Sequence, residues 1–545
     1  MPESASPASR WFNKLQSSIT GGAVVVSAMW IVSKVLGLLR QRLIASEFGA
    51  PAADPLYAAF SVPDFVYGTL VLGSLLSAFL PVFLKRWQED REAAWETARS
   101  VFNLLVLVFA GLSILILLFA PALVSVVAPG FSGEKRLLTV ALTQIMAVNI
   151  LLFAAGNVLS GVLQAFRRFL AVSVAPILNN LGIIAGILFL APTYGVRGVA
   201  YGAVLGALLH FVVQVAAAFR AGFRFGFKLN LKLPDVRRIG KLILPRAFGQ
   251  SVTQLDQLVN IIIGSTLAAG SVAIFKWAND VQDVPVTLVG VSLATVAFPV
   301  FSEMLARGDR QGFVTQFSKV VRQILFLVIP ISVLILQLRA QFVRVIYGAG
   351  AIDWPTTIAI ANTVGFFTLS LFAQALVPVL ARSFYALQDT RTPVIVTTGA
   401  VILDIIGSFV LGRAFGVQGL ALSYSLSNLL NAAVLYWMLR RRLGNLDDEK
   451  VVTAGVRIVG ITLLMAVVVQ GAKSLLVSLG LDLSRAIGVL AQAVLAGGVG
   501  LLSYLLFAAL FKLEEASLVR TAISRIGAVM RGNGRRNGEG EAPIP

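Results

Sequence analysis

Three cations, Lys34, Arg40 and Arg42, lie within SKVLGLLRQR (33–42), inside an apolar run that begins near Gly21 and ends near Ala45. An Arg or Lys at the centre of a membrane helix costs about 2.5–3.5 kcal/mol on insertion scales, so three on one helix need a compensating task. At 100° per residue, Lys34 and Arg40 fall about 120° apart and Arg42 points to a third side. Arg40 and Arg42 can extend to a headgroup layer at the helix end, but Lys34 is deeper. The expectation is a helix that lines a wet, cationic cavity.

Other ionisable groups fall inside apolar runs as well. Asp64 lies in the second run, Arg246 and Asp256 in the seventh, and Lys276, Asp280 and Asp283 in the eighth. Lys276 and Asp280 are spaced for an i,i+4 ion pair, yet charges gathered on a few membrane helices are a functional-site hypothesis by default. Cations in a cavity favour an anionic substrate, and a guanidinium donates two parallel hydrogen bonds to phosphate. Asp256 and Asp404, with Ser423 and Asn428 on the next run, are a second constellation. Two carboxylates with hydroxyl and amide oxygens can bind Na⁺ or carry a proton; the alternative is that each bonds a neighbouring helix. No resident cofactor is expected. His210, the single histidine, reads as packed rather than catalytic.

The elements that carry these residues are membrane helices. The chain has 545 residues, 57% hydrophobic and 13% charged, with mean hydropathy +0.85, where a soluble domain is near 25% charged. With no Cys, disulfides and thiolate chemistry are excluded. The net charge of +19 does not point to nucleic acid, because the cations fall between apolar runs rather than on one face. The run after Lys14 continues past Ile44 without a small-residue cleavage site, so it reads as a spanning helix and not a signal peptide. No phosphate-binding loop or soluble catalytic domain is present, which leaves an ion gradient or the membrane potential as the energy source.

Fourteen runs are long enough to cross about 30 Å of hydrocarbon. Alternate connections take 32 of the 45 Lys and Arg on one side and 8 on the other, which puts both termini in the cytoplasm. The sequence also repeats. SLLSAFLPVF (74–83) returns as SLATVAFPVF (292–301), and YGVRGVA (194–200) as FGVQGLA (415–421). The expected organisation is an N-terminal segment (1–20), a six-helix repeat (21–219), a basic linker (220–241) and a second repeat (242–440). Helices 13 and 14 (441–511) and a tail (512–545), disordered at its end, follow. Two repeats of even helix number share one topology, and a solvent-filled path between them is expected. The linker RAGFRFGFKLNLKLPDVRRIGK alternates apolar and cationic residues; it suits a strap or helix on anionic lipid, or is simply a positively charged connection.

Ten motifs from Gly21 to Lys512 resemble the MurJ/MviN family of lipid II flippases, in the superfamily of multidrug-and-toxin extruders and polysaccharide exporters. They are SKVLGLLR (33–40), FGA…AD (48–54), AFLPVF (78–83), APGF (128–131), FRRF…APILNN (166–180), SVTQ (251–254), AAGSV (268–272), FPVFSE (298–303), FYALQDTRTP (384–393) and LYWMLR (435–440). The resemblance implies an all-α inner-membrane protein of fourteen helices that serves cell-wall biogenesis and cell shape without covalent chemistry. It implies a central cavity for a diphosphate headgroup and a groove at the last two helices for a polyprenyl tail. Lys34, Arg40 and Asp54 match the family's basic and acidic positions, and Asp256 and Asp404 resemble its sodium-site acids. The family's arginines on the second and eighth helices fall at Tyr67 and Asp280, and Arg42, Arg246 or Lys276 are the replacements. The implied partners are lipid II or a related polyprenyl-diphosphate lipid, anionic membrane lipids and cell-wall synthesis proteins, with a monomer as the default and no nucleic acid. Export of another polyprenyl-linked saccharide or amphiphile, and a non-transporting scaffold, are the alternatives.

Overall fold

The computed structural model describes residues 19–71, 75–483 and 485–517. The segment up to residue 18, Ser74 of the first repeat motif and the tail beyond residue 517, including the end read as disordered, lie outside the described residues. Among the described residues the regular structure is entirely helical. Ten helices are long and apolar enough to cross a membrane, or eleven if the bent pair Trp354–Thr368 and Leu371–Ala386 is one span.

That total is smaller than the fourteen apolar runs for physical reasons. The stretch Ala28–Glu89, counted as one span, is 62 residues long, about three times what one crossing needs. It takes in helix α1 (Ile19–Leu70) from Ala28 onward and helix α2 (Leu75–Glu89). Within α1, Gly49 takes the non-helical φ 67 and ψ 176, and Pro51 opens the segment that follows. The first two runs are therefore two helical segments that meet at a break at Gly49 with no loop between them, and the second of these segments ends at Leu70. Helix α7 (Pro234–Ser265) is not counted among these spans because Gln254, Asp256, Gln257 and Asn260 make its middle polar, while Asp235, Arg237, Arg238, Lys241 and Arg246 charge its first turns. The later helix Val417–Leu443 fails for its serines, asparagines and terminal arginines.

The chain divides into two compact units. The first comprises residues 1–280, 346–363 and 398–427. It contains α1, α2, α3 (Arg91–Val127), α4 (Gly133–Ala165), α5 (Phe169–Ala185), α6 (Val196–Arg220) and α7, and begins α8 (Ser271–Pro285). Asp90 caps α3, accepting from the Glu92 and Ala93 amides at 3.0 and 3.2 Å. The closest packing is α5 on α6, where a Cβ added to Gly182 would collide with the backbone of Gly206, and one on Gly202 would meet Gly186 Cα at 2.6 Å. Small residues let these helices touch backbone to backbone, the usual device where lipid removes the hydrophobic drive. His210 is packed in this region, its ring edge-on to Phe153 and its Nε2 3.1 Å from Gln214. The repeated YGVRGVA and FGVQGLA motifs both place a glycine at positive φ before a helix, Gly195 at 59° and Gly416 at 63°.

The second unit comprises residues 281–345, 364–397 and 428–545. A π-helical turn, Val286–Val291, follows Pro285, whose ring removes a ladder donor, and leads into α9 (Ser292–Ala306). Then come α10 (Arg310–Gln337), nearly all of α11 (Arg339–Ile346), the end of α12 (Trp354–Thr368), α13 (Leu371–Ala386), the start of α14 (Arg391–Phe415), the later part of α15 (Val417–Leu443), α16 (Asp448–Ser478) and α17 (Ala486–Leu510). Tyr504 of α17 donates to the Phe326 carbonyl at 2.8 Å, and Arg322 pairs with Glu514 and Glu515. Lys473 of α16 donates to the Gln337 carbonyl at 2.9 Å. The outer faces of α16 and α17 leave Leu463, Val467 and Leu502 exposed, as lipid-facing helices do.

Candidate functional site

All the sequence-predicted site residues except Asn428 belong to the first unit. Arg40 is half-buried in the interior of α1. Its guanidinium donates to Asn180 Oδ1 on α5 at 3.1 Å, and Asn180 Nδ2 in turn donates to the Ser33 carbonyl at 3.1 Å. One amide therefore holds both ends of the cationic stretch. Lys34 lies about 9 Å along the axis from Arg40, half-buried, with its ammonium 5.5 Å from the Trp30 ring. Arg42 is half-buried on the next turn. Asp64 is exposed although it lies mid-helix, and its charge interacts with those of Lys276 and Arg40. Lys276 pairs with Asp280 at 3.1 Å and keeps 44% of its side chain exposed. Arg40, Asp64, Lys276 and Asp280 thus form one electrostatic group among apolar helices. Arg246 lies apart from it, exposed, and donates to Ser77 at 2.9 Å.

The second oxygen of Asp280 is also occupied. Gln41 donates to it at 2.6 Å, Tyr57 donates to Gln41 at 2.8 Å, and the Trp277 indole donates to the Tyr57 oxygen at 2.7 Å. Tyr347 donates to the Trp277 carbonyl at 3.2 Å and stacks on its ring at 5.6 Å. Sequence reasoning did not single out Gln41, Tyr57, Trp277 or Tyr347. The signal was the polar Gln41 inside an apolar run, directly between two arginines. Tyr67, at the other family arginine position, accepts from Asn157 at 2.6 Å and packs on Phe153. Beside it, a Cβ on Gly68 would collide with the Gln254 side chain.

Asp54 is 1% exposed. It accepts from the Gly270 and Ala273 amides at 2.7 and 2.9 Å and from Lys135 at 2.8 Å. A carboxylate that satisfies orphan amides at the start of α8, with a cation at its back, is a latch between helices rather than an open ligand site.

Asp256 and Asp404 do come together. Their carboxyls are in hydrogen-bonding contact, and both side chains are buried. Asn260 Nδ2 donates to Asp404 at 3.2 Å, Ser408 donates to Asn260 Oδ1 at 3.2 Å, and Ser423 donates to the Asp404 carbonyl at 2.9 Å. Oδ1 of Asp256 is buried with no hydrogen-bond partner. Two adjacent carboxyls away from water need either a shared proton or a cation between them. An all-oxygen set with one orphaned carboxylate oxygen fits a hard monovalent cation. Asn428 is half-buried and belongs to the second unit.

Comparison with known proteins bears on these sites. The family described as lipid II flippase MurJ matches residues 44–491. A lipid II flippase MurJ of Burkholderia cenocepacia is 28% identical over 77% of this chain and 83% of its own. A probable lipid II flippase MurJ of Rhizobium tropici is 29% identical over 77% and 80%. Among solved structures, a lipid II flippase MurJ in an inward closed conformation superposes with TM-score 0.75 at 23% identity, covering 90% of this chain and 98% of that one. An inward-facing multidrug resistance MATE family transporter of the MOP superfamily gives 0.65 at 16% identity, covering 78% and 99%. Both likenesses establish an all-α, multi-pass fold.

Proposed function

The chain belongs to the MurJ family of lipid II flippases and moves a lipid-linked peptidoglycan precursor across the bacterial inner membrane, and we propose that its intramembrane cations receive the diphosphate of that lipid. It is a transporter by its family. The observation that carries the reading is the group of Arg40, Lys276 and Asp64 inside apolar helices, with Lys276 and Asp64 still open. Asp280 neutralises part of Lys276, so an arriving dianion competes with Asp280 for that ammonium while Arg40 offers its fork. Lys34 and Arg42 extend the cationic wall along α1. Asp54 takes the role of a positioning residue that holds α8, and Arg246 that of an outlying cation which the headgroup meets on its way.

The fourteen-helix organisation follows the same family reading. The 62-residue stretch crosses more than once, and α7 and α15 (Val417–Leu443) cross despite their polar residues. Residues 21–219 and 242–440 are then the two six-helix repeats joined by 220–241, a reading that the matching Gly195 and Gly416 turns support. Residues 441–511 supply the groove for the polyprenyl tail. Transport proceeds by alternating access, driven by the membrane potential, worth about 2.3 kcal/mol per charge per 100 mV, or by Na⁺. Asp256, Asp404, Asn260 and Ser408 would hold that Na⁺, with Ser423 bracing the Asp404 backbone. When bound, the ion supplies the positive charge that the two carboxylates lack.

Rescue of a cell depleted of its own lipid II flippase tests the assignment. Growth and shape are restored if the reading is right. Membrane-inserted protein that fails to rescue assigns the site to another polyprenyl-diphosphate-linked saccharide.

A further inference from the structure

Helix α3 is 37 residues long, about 55 Å, while the hydrocarbon is about 30 Å thick. Its last charged residue is Arg99 and no charge follows through Val127, so the sequence pattern sets Asn103 near the boundary between water and bilayer on the side rich in Lys and Arg. A strap is pinned at that residue. Asn103 Nδ2 donates to the Gly226 carbonyl at 2.6 Å and the Lys228 carbonyl at 2.9 Å, and the Asn230 amide donates to Ser100 Oγ at 3.3 Å. Residues 223–230 are neither helix nor strand. Phe223 is buried, and Phe225 packs on it and on Phe102 while staying partly open. Phe227, Leu229 and Leu231 are exposed as well, Phe227 completely at 105%.

The strap and the first turns of α7 are also strongly cationic. Arg224, Lys228 and Lys232 of the strap and Arg237, Arg238 and Lys241 of α7 are exposed. The one acid in 220–241 is Asp235, which is already paired with Arg86 at 2.7 Å. None of the six makes an ion pair among the described residues. Four exposed apolar side chains in water are costly, at roughly 25 cal/mol per Å². The same side chains at the level of Asn103 meet acyl chains, with the cations at the height of lipid phosphates.

We propose that residues 223–241 are a docking site for anionic phospholipid headgroups, in which Phe227 inserts below the phosphates and the flanking cations bind them. The occupant is the bilayer's own anionic leaflet, since the exposed apolar side chains flank carbonyls held by Asn103 of a spanning helix and the unpaired charge is of one sign. The strap leads directly into α7, whose first turn is held by the Asp235–Arg86 pair. This inference stands independently of the transported substrate.

The absence of native cysteine gives a clean experiment. Phe227→Cys, labelled with a polarity-sensitive dye, is reconstituted into phosphatidylcholine vesicles with and without phosphatidylglycerol. The expected result is a blue-shifted emission that deepens with phosphatidylglycerol. In a K228Q/K232Q/R238Q background the preference falls by on the order of fivefold per cation removed. The same dye at Leu463→Cys, on the outer face of α16, reports an unchanged fold. Aqueous emission from position 227 in both vesicles overturns the insertion. Equal emission with and without phosphatidylglycerol, untouched by the triple variant, overturns the anionic specificity.

Discussion

Asp389 shows how a family motif resolves into physical tasks at the scale of single residues. It lies in FYALQDTRTP, in the connection before α14. Its Oδ1 accepts from the Arg391 and Thr392 amides at 3.0 Å each, its Oδ2 from the Thr392 hydroxyl at 2.5 Å, and Arg442 pairs with it at 2.6 Å. Gln388 before it takes φ 60, and the Arg442 guanidinium lies 5.6 Å from the Phe384 ring. Partial burial pushes the Asp389 carboxyl up, but the Thr392 and Arg391 hydrogen bonds and the Arg442 charge outweigh it and hold it below the usual carboxylate range. With the folded value below the unfolded one, the carboxylate's contribution is complete above that range and is lost as pH falls through the folded value. Asp389→Asn is therefore less stable at neutral pH, and its thermal unfolding in detergent loses less between neutral pH and pH 3 than the parent's. An identical acid slope in both proteins excludes this role for Asp389.

The residues legible in the sequence were those whose charge is out of place. Lys34, Arg40, Asp64, Lys276, Asp256 and Asp404 announce themselves because an ion in an apolar run needs a reason. Tyr57, Trp277 and Tyr347 carry no such signal. Aromatic residues are common in membrane helices, and only their placement around Gln41 and Asp280 gives them a task. Asp54 was legible as an acid of the site but not as a latch, since its partners Gly270 and Ala273 offer backbone amides that sequence does not advertise.

At the scale of elements, the α5–α6 contact rests on glycines spaced by four, Gly182 and Gly186 against Gly198, Gly202 and Gly206. A methyl at Gly202 meets Gly186 Cα at 2.6 Å, whereas one at Gly111 in α3 meets nothing within 4 Å. The two substitutions should thus differ in sign. Gly202→Ala destabilises by about 1–3 kcal/mol through overpacking, while Gly111→Ala is neutral or stabilises by up to about 1 kcal/mol through helix propensity. Denaturant unfolding of the two variants decides it, and equal effects exclude close backbone contact at Gly202. The linker is the element whose conformation the sequence left open. Its alternating pattern suited a strap or a helix; the Asn103 and Ser100 bonds, made with residues more than a hundred positions away, hold 223–230 as a strap, while 234–241 are the first turns of α7.

At the scale of the molecule, the apolar runs located nearly every helix, because hydrophobic length is what a bilayer selects. Their ends were less legible. At Gly49 two helical segments meet with no loop between them, where the sequence pattern reads as a connection, and α7 begins at Pro234, eight residues before the apolar run that marks it. The central claim is that cations inside the first unit bind the anionic headgroup during transport, with loss of one charge-assisted contact worth about 1.5–3 kcal/mol. The direct measurement is the rate at which lipid II crosses the bilayer of vesicles holding equal amounts of the parent, Arg40→Gln, Lys34→Gln or Arg413→Gln. Arg413 is exposed over Phe409, outside the cationic group. The account predicts a loss of at least tenfold for Arg40→Gln and Lys34→Gln and a parental rate for Arg413→Gln. Parental rates in all three variants would contradict it.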